Sequence, residues 1–424
     1  MQPKLRFQVL TDKRFRPTDG DFIVRMALTV GVSDLAEVLP LHLCIVIDRS
    51  ISMQGSKLTQ AKEAAQAVIQ ALSSGDTFSV LAFGSTVEVL SGAGLATDHA
   101  KHKAVQAITA LDASGVTRMD LALEQAYAQF AATDEDTMNT LIFLSDGAPT
   151  DGQGYMLGDE GLNHLTDTVS RAFGGQAITT STIGLGDAED CLAPFLERCG
   201  EMGGGIFCHA DNPSVLRDRF MEAFHRVHAT AVSDVIFRLE DVNGDVRRAV
   251  AVLPDIRVLP AQPAEDGAFL IDGGALQQGE EHAFLVEIVT PAGEEGKTKL
   301  CQIKANYRMD GMQQQTPSET PLIEYTSQDS LLDQPDHPIL ARYKGLYNAF
   351  QQAQKATENA REGGDPKKTK VLLRNAARTT RRLGLSKQTK VLETMADRLD
   401  QDGSLSANDL TAVTTAARKT KVLS

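Results

Sequence analysis

Residues 41–72, LHLCIVIDRSISMQGSKLTQAKEAAQAVIQAL, decide how the chain is read. The run 41–47 is short, almost wholly apolar and rich in β-branched residues, which predicts a strand buried on both faces. Asp48 ends it, and Ser50 and Ser52 follow at alternate positions. From Lys57 onward Leu58, Ala61, Ala65, Val68, Ile69 and Leu72 recur at helical spacing. A buried strand, an oxygen-rich loop and an amphipathic helix place Asp48, Ser50 and Ser52 at the carboxyl end of a sheet, where open α/β sheets bind ligands. Hard oxygen donors gathered without Cys or His suit Mg²⁺. Serine hydroxyls offer lone pairs, and a nearby carboxylate can hold the waters of such an ion. A plainer reading stands beside this one: Asp48 caps a helix or turn and the serines fill a loop.

Two later loops sit at equivalent places. Residues 77–83 predict a second core strand, and 85–90 follow it after Gly84 alone, a link so short that it forces an antiparallel hairpin. After a predicted helix at 99–111, Gly115-Val116-Thr117 precedes another at 121–130, where a threonine also reads as an N-cap. A buried strand at 140–144 then runs into Ser145-Asp146-Gly147, and Asp151-Gly152 beyond it reads as a turn. The alternation continues with a helix at 161–173, a strand at 177–184, a helix at 190–199, a strand at 205–209 and a helix at 212–228. Gly184-x-Gly186 lacks the third glycine of a dinucleotide fingerprint. His209, alone at a strand end, reads as a surface or core histidine rather than a ligand.

The three loops, in this order, resemble the metal-ion-dependent adhesion site of von Willebrand factor type A (vWA) domains. Asp48-x-Ser50-x-Ser52, Gly115-x-Thr117 and a post-strand Asp146 followed by Gly each match a loop of that family. The resemblance implies an α/β fold, a Rossmann-like, mostly parallel sheet with helices on both faces, over residues 39–228. It implies Mg²⁺, or Mn²⁺ or Ca²⁺, held by Ser50, Ser52 and Thr117, with Asp48 and Asp146 acting mainly through waters. An open coordination position would then accept an Asp or Glu carboxylate from a partner protein. One departure stands out: the family usually has Gly between the two serines, and here Ile51 does. If that position needs φ > 0, a β-branched residue is costly there.

The flanks read differently. Residues 1–38 hold two strand-like segments that cannot bury a core alone. Residues 229–327 read as an antiparallel β-sandwich, with turns at Asn243-Gly, Asp272-Gly-Gly and 260–267, and 298–309 as one of its strands. The N-terminal strands are expected to join that sandwich, so the vWA domain would be inserted between strands of one β domain. Similar arrangements occur in stand-alone bacterial proteins of the family. Residues 336–424 read as a C-terminal helical bundle, with helices at 339–360, 366–383, 386–400 and 409–423.

Composition narrows the function classes. The chain has 424 residues, 42% hydrophobic and 23% charged, as in ordinary globular proteins. No N-terminal apolar leader and no run of membrane-spanning length is present, so a cytoplasmic protein without membrane contact is expected. The five cysteines agree. Cys44 and Cys208 fall in predicted strands, Cys301 stands alone, and Cys191 and Cys199 would lie about 12 Å apart on a helix, too far for a disulfide. No CxxC pair suggests zinc. The net charge of −14 divides into +9 over residues 339–424 and −23 over the rest. Seven Lys and Arg between Lys367 and Arg382 read as a solvated helix face, or as a surface for an acidic partner or nucleic acid. The tail's aromatics, Tyr343, Tyr347 and Phe350, lie away from that cluster, so a nucleic-acid stacking surface is poorly supported. Thr-Lys-Val-Leu recurs at Thr369, Thr389 and Thr420, at spacings too irregular for a solenoid, and leaves phosphorylation of those threonines to be tested.

The expected function is a metal-dependent protein–protein interaction module without catalysis, a scaffold or regulatory component of a bacterial cytoplasmic complex. The alternatives are a phosphoryl-transfer-type metal hydrolase, and a binder of nucleic acid or an acidic partner through the basic C-terminal helices. Against the hydrolase, Ser50 stands where such folds show a second Asp, and the chain has neither a phosphate loop with Lys nor a Ser-His-Asp set. Neither a partner's identity nor an oligomeric state follows from the residues.

Overall fold

The computed structural model describes residues 5–33, 39–131, 137–186, 192–210, 212–309 and 312–420. The chain divides into two compact units, Val38–Thr230 and Met1–Glu37 with Ala231–Ser424.

The first unit is built on a six-stranded sheet in the order Val87–Leu95, Thr77–Phe83, Leu41–Asp48, Met138–Ser145, Thr179–Leu185, Gly204–Ala210. All neighbours are parallel except the edge strand Val87–Leu95, which returns antiparallel on Thr77–Phe83, as so short a link requires, although the link is the three residues 84–86 rather than Gly84 alone. Leu41–Asp48 lies third in this order, and every one of its residues is buried, which is why its sequence is apolar without alternation. Helix Ser56–Ala71 follows it and buries Leu58, Ala61, Ala64, Ala65, Val68 and Ile69. It packs with Leu216–His228 and Asp98–Thr109, whereas Met119–Ala128, Asp159–Gln176 and Ala193–Met202 pack in series, giving two helical groups around one sheet. The last helix begins at Leu216, after a 3₁₀ turn at Pro213–Val215, rather than at residue 212. Residues 190 and 191, including Cys191, lie outside the described residues.

Asp76 ties this unit together at the start of its central strand. Its Oδ1 accepts from the Leu41 N–H at 3.2 Å, and its Oδ2 accepts from the Ser73 N–H at 2.7 Å. His228 Nε2 lies 3.3 Å from the same Oδ2. His228 is the last residue of its helix, where the helix dipole also favours a cation. The hydrogen bond to Asp76 raises the His228 pKa. Burial pushes Asp76 upward, but the bonds from His228, Ser73 and Leu41 outweigh it and leave its pKa lowered. The charged histidine therefore stabilises the fold fully below its unfolded pKa of about 6.5, and this is lost as pH rises through the raised folded value. The aspartate's share is present above its unfolded pKa and is lost as pH falls through the lowered folded value. His228→Gln should accordingly melt below the native chain at about pH 5 and converge on it by about pH 9. A gap constant across that range in thermal melts would remove the pair as its source.

In the second unit, one five-stranded sheet runs Leu5–Thr11, Phe22–Val32, Glu281–Thr290, Asp245–Leu253, Arg257–Val258. The other runs Ala261–Pro263, Phe269–Gln277, Thr230–Glu240, Gln302–Met309, Met312–Gln315. They share a core in which Val24, Met26 and Leu28 of the first meet Phe237, Ile271 and Ile303 of the second. The N-terminal strands thus join later ones, with Phe22–Val32 paired antiparallel to Leu5–Thr11 and Glu281–Thr290. The sandwich is antiparallel as expected, and a small third sheet adds one parallel pairing, Phe15–Pro17 with Leu322–Thr326, which also pairs with Gly296–Lys299. Two expectations fail here. Residues 298–309 are not one strand but break at Leu300 and Cys301, both of which turn fully into the core. Asp272-Gly-Gly is no turn but lies inside Phe269–Gln277, because a Cβ on Gly273 would come within 2.8 Å of the Phe237 ring.

The other face of the first sheet is covered by the helices. Ala27, Val250, Val252 and Leu285 pack against Leu340, Tyr343, Leu346 and Phe350. The bundle comprises Pro338–Arg361, Pro366–Arg382, Ser386–Asp402 and Ala407–Arg418. Its basic stripe is partly balanced: Lys370 and Arg374 pair with Asp400, and Arg381 with Glu393. The repeated threonines are anchors rather than modification sites, since Thr369 and Thr420 are 1% exposed and Thr389 5%. Thr389 donates to the Leu385 carbonyl at 2.8 Å, and Thr420 donates to those of Val252 and Pro254 at 2.6 and 2.7 Å. A phosphate on Thr389 or Thr420 would break these bonds. Cys44, Cys199, Cys208 and Cys301 are buried thiols. Among the described residues no helix is long and apolar enough to cross a membrane.

Candidate metal centre

Asp48 emerges from the buried strand with both oxygens engaged. Oδ1 accepts from the Ser50 N–H at 2.7 Å, and Oδ2 accepts from the Ser145 hydroxyl at 2.5 Å. The first bond closes a tight turn, so the capping role anticipated for Asp48 holds alongside its place in the site. That turn sets the Ser50 and Ser52 hydroxyl oxygens 3.0 Å apart. Ser52 then donates to Asp146 Oδ1 at 2.7 Å. Two backbone bonds draw the second loop in: Ile51 N–H to Gly115 O at 3.0 Å and Ser114 N–H to Arg49 O at 2.6 Å. Thr117 is pinned to the third loop by the Thr150 N–H on its carbonyl at 2.9 Å and by its own N–H on the Thr150 hydroxyl at 3.0 Å. Gly147 lies between the loops: a Cβ there would touch both the Thr117 hydroxyl, at 3.4 Å, and that of Ser52, at 3.5 Å.

All five residues singled out from the sequence therefore meet at one end of the sheet. Asp48, Ser50, Thr117 and Asp146 are 0, 2, 5 and 1% exposed, and Ser52 faces solvent. Thr117 is not the N-cap of the following helix; Arg118 holds that position. Ile51 carries no backbone strain either. It lies in the 3₁₀ turn Ile51–Met53, is absent from the positive-φ residues, and leaves its side chain 61% exposed. Asp151 accepts from the Gln153 and Tyr155 N–H groups, the turn its sequence suggests. His209 holds the Gly186 carbonyl at 2.9 Å, a structural partner.

One participant escaped the sequence reading. Lys57, in the first turn of Ser56–Ala71, places Nζ 2.5 Å from Asp146 Oδ2. A cation at a helix N-terminus opposes the helix dipole, and that local misfit was the available sign of a partner elsewhere.

The donors fit a small divalent cation. Asp48 is wholly buried, and burial pushes its pKa up to about 6 despite the bonds from Ser145 and Ser50, with the neighbouring Asp146 adding to the rise. Of the two buried carboxylates, Asp146 has Lys57 as an ion-pair partner, while the contacts of Asp48 are the hydrogen bonds from Ser50 and Ser145. Three hydroxyls adjoin them, a hard, all-oxygen set. No three His, Cys, Asp or Glu side chains cluster as a metal site among the described residues.

Known proteins give the same fold. A family model, von Willebrand factor type A domain, matches residues 41–208. An uncharacterised protein of Synechocystis sp. is 25% identical over 91% of this chain and 89% of its own. Inter-alpha-trypsin inhibitor heavy chain H4 of Bos taurus is 26% identical over 51% of this chain, which spans only 26% of that protein. Among solved structures, a von Willebrand factor type A protein from Catenulispora acidiphila superposes with a TM-score of 0.82, at 19% identity over 99% of this chain and 98% of the other. The ArnB paralog VWA2 from Sulfolobus acidocaldarius gives 0.63, at 16% identity over 98% of each. A parallel sheet with three converging loops, inside the span matched by the family model, gives residues 41–208 the fold of a von Willebrand factor type A domain.

Proposed function

We propose that the chain is a metal-dependent protein-binding module that captures an acidic side chain of a partner. Domains of this family are protein-interaction modules. The supporting observation is the meeting of the Ser50, Ser52 and Thr117 hydroxyls with two buried aspartates at a rim that opens at Ser52. Ser50, Ser52 and Thr117 would hold Mg²⁺, or Mn²⁺ or Ca²⁺, with Asp48 and Asp146 acting mainly through waters. When bound, such an ion supplies a positive centre for a partner's Asp or Glu, and neutral hydroxyl ligands leave more of that charge unspent than carboxylates would.

The protein's own groups prepare the site. Asp48 folds the first loop, and Ser145 holds Asp48 in place. Lys57 offsets the charge of Asp146. The partners of the two carboxylates are hydroxyls, a backbone N–H and a lysine, with no histidine relay among them, which supports binding rather than catalysis. Buried reduced thiols accord with a cytoplasmic setting. The nucleic-acid alternative is weakened because part of the basic stripe is spent on Asp400 and Glu393.

Affinity capture with Mg²⁺ and with EDTA tests the proposal. Partner capture should require the ion, and Thr117→Ala in Mg²⁺ should behave like the native chain in EDTA. Capture that ignores both treatments would refute the metal-dependent reading.

A further inference from the structure

We propose that the second unit binds a small polyphosphate-type anion in a cleft between helix Pro338–Arg361 and the sheet it covers. The cleft has a volume of about 390 Å³. Its charged lining is Arg25, Arg247, Arg248, Lys344 and Lys355 against one acid, Glu287. In a chain of net charge −14, that excess is not an echo of composition.

Strand register builds it. Arg25, Glu287 and Arg248 sit side by side on three neighbouring strands. Glu287 accepts from Arg25 Nε at 2.9 Å, so the acid between two arginines serves one of them. Arg248 turns instead to Tyr347, donating to its hydroxyl at 2.6 Å with its guanidinium 5.7 Å from the ring centroid. Lys344 is held by Asp336. Arg247 and Lys355 are exposed and have no ion-pair or hydrogen-bond partner among the described residues. Arg248, Arg247 and Lys355 thus bring three positive charges to one cleft without an acid to balance them. Like charges gathered against a low-dielectric wall create a field that favours an anion.

The chemistry selects the class. Guanidinium forks match phosphate oxygens in pairs, and lysines add point charges that suit a multiply charged ligand. Base recognition is disfavoured, because the Tyr347 ring already carries Arg248 and stacks with Phe350 at 6.4 Å between centroids. The ligand is therefore recognised by its phosphate chain. This inference does not rest on the metal-centre reading.

Calorimetric titration of the full chain with sodium tripolyphosphate, in EDTA so that no divalent ion intervenes, tests it. One anion per chain should bind saturably, more weakly at higher salt. Arg247→Glu and Lys355→Glu, both at exposed positions without partners, should each weaken binding by about tenfold or more. The double variant Lys367→Glu/Lys368→Glu, on the exposed face of Pro366–Arg382, should bind like the native chain. Absence of saturable binding, or equal weakening by the control variant, would overturn the site. Equal affinity for citrate would overturn its assignment to phosphate.

Discussion

Asp146→Ala is expected to abolish saturable Mg²⁺ binding, and Lys57→Met to do the reverse. Asp146 joins the first and third loops through Ser52 and carries Lys57 on its other oxygen. Removing the carboxylate takes away a metal partner and leaves the lysine charge beside the remaining hydroxyls, where it repels a cation. Lys57→Met retains most of the side-chain length and deletes the charge. The Asp146 carboxylate, with its side chain 0% exposed, then loses its counter-ion, which should cost the metal-free protein about 1–3 kcal/mol. A divalent ion offsets that loss, so Mg²⁺ should raise the melting temperature of Lys57→Met by more than it raises that of the native chain. Calorimetric titration and paired melts with and without Mg²⁺ read both effects. Native-like Mg²⁺ affinity in Asp146→Ala would place the ion elsewhere, and equal melting shifts would show that Lys57 does not compete with it.

Phe237→Ala should cost about 3–5 kcal/mol of stability in the second unit. Phe237 is 0% exposed, meets Phe284 edge-on at 4.8 Å and stacks on Phe7 at 6.1 Å between centroids. Gly273 passes too close to its ring for any side chain, so the backbone there is shaped to that aromatic. Truncation leaves a cavity between two sheets that cannot collapse without breaking strand pairing. Ile51→Gly is the matched contrast, since that side chain is 61% exposed and its removal should leave the melt nearly unchanged. Urea denaturation measures both. A loss below about 1 kcal/mol for Phe237→Ala would mean the sheets do not share the core described.

Legibility followed from how local each determinant is. The strand Leu41–Asp48 was readable because burial on both faces removes every polar residue from its run. The three loops were readable because each directly follows a strand or precedes a helix, so a local pattern marks it. Lys57 was not, since its partner lies 89 residues away, and a cation in the first turn of a helix hints at an acid without saying which one. Asp272-Gly-Gly misled because a tight turn and a strand pressed against an aromatic call for the same glycine. The parallel pairing of Phe15–Pro17 with Leu322–Thr326 joins segments on either side of the inserted unit, beyond any periodicity. The basic cleft was hidden for the same reason: Arg25 and Glu287 are 262 residues apart and meet only through register.

The position of Phe22–Val32 between Leu5–Thr11 and Glu281–Thr290 orders events at the ribosome. That strand emerges early, yet the neighbour that completes it is translated only after the whole of Val38–Thr230. The inserted unit holds every strand of its own sheet and can fold first. Meanwhile the leading hairpin waits with an open edge, the kind of surface that pairs with the wrong chain. Nascent chains stalled before residue 281 should therefore be the aggregation-prone species in the life of this protein.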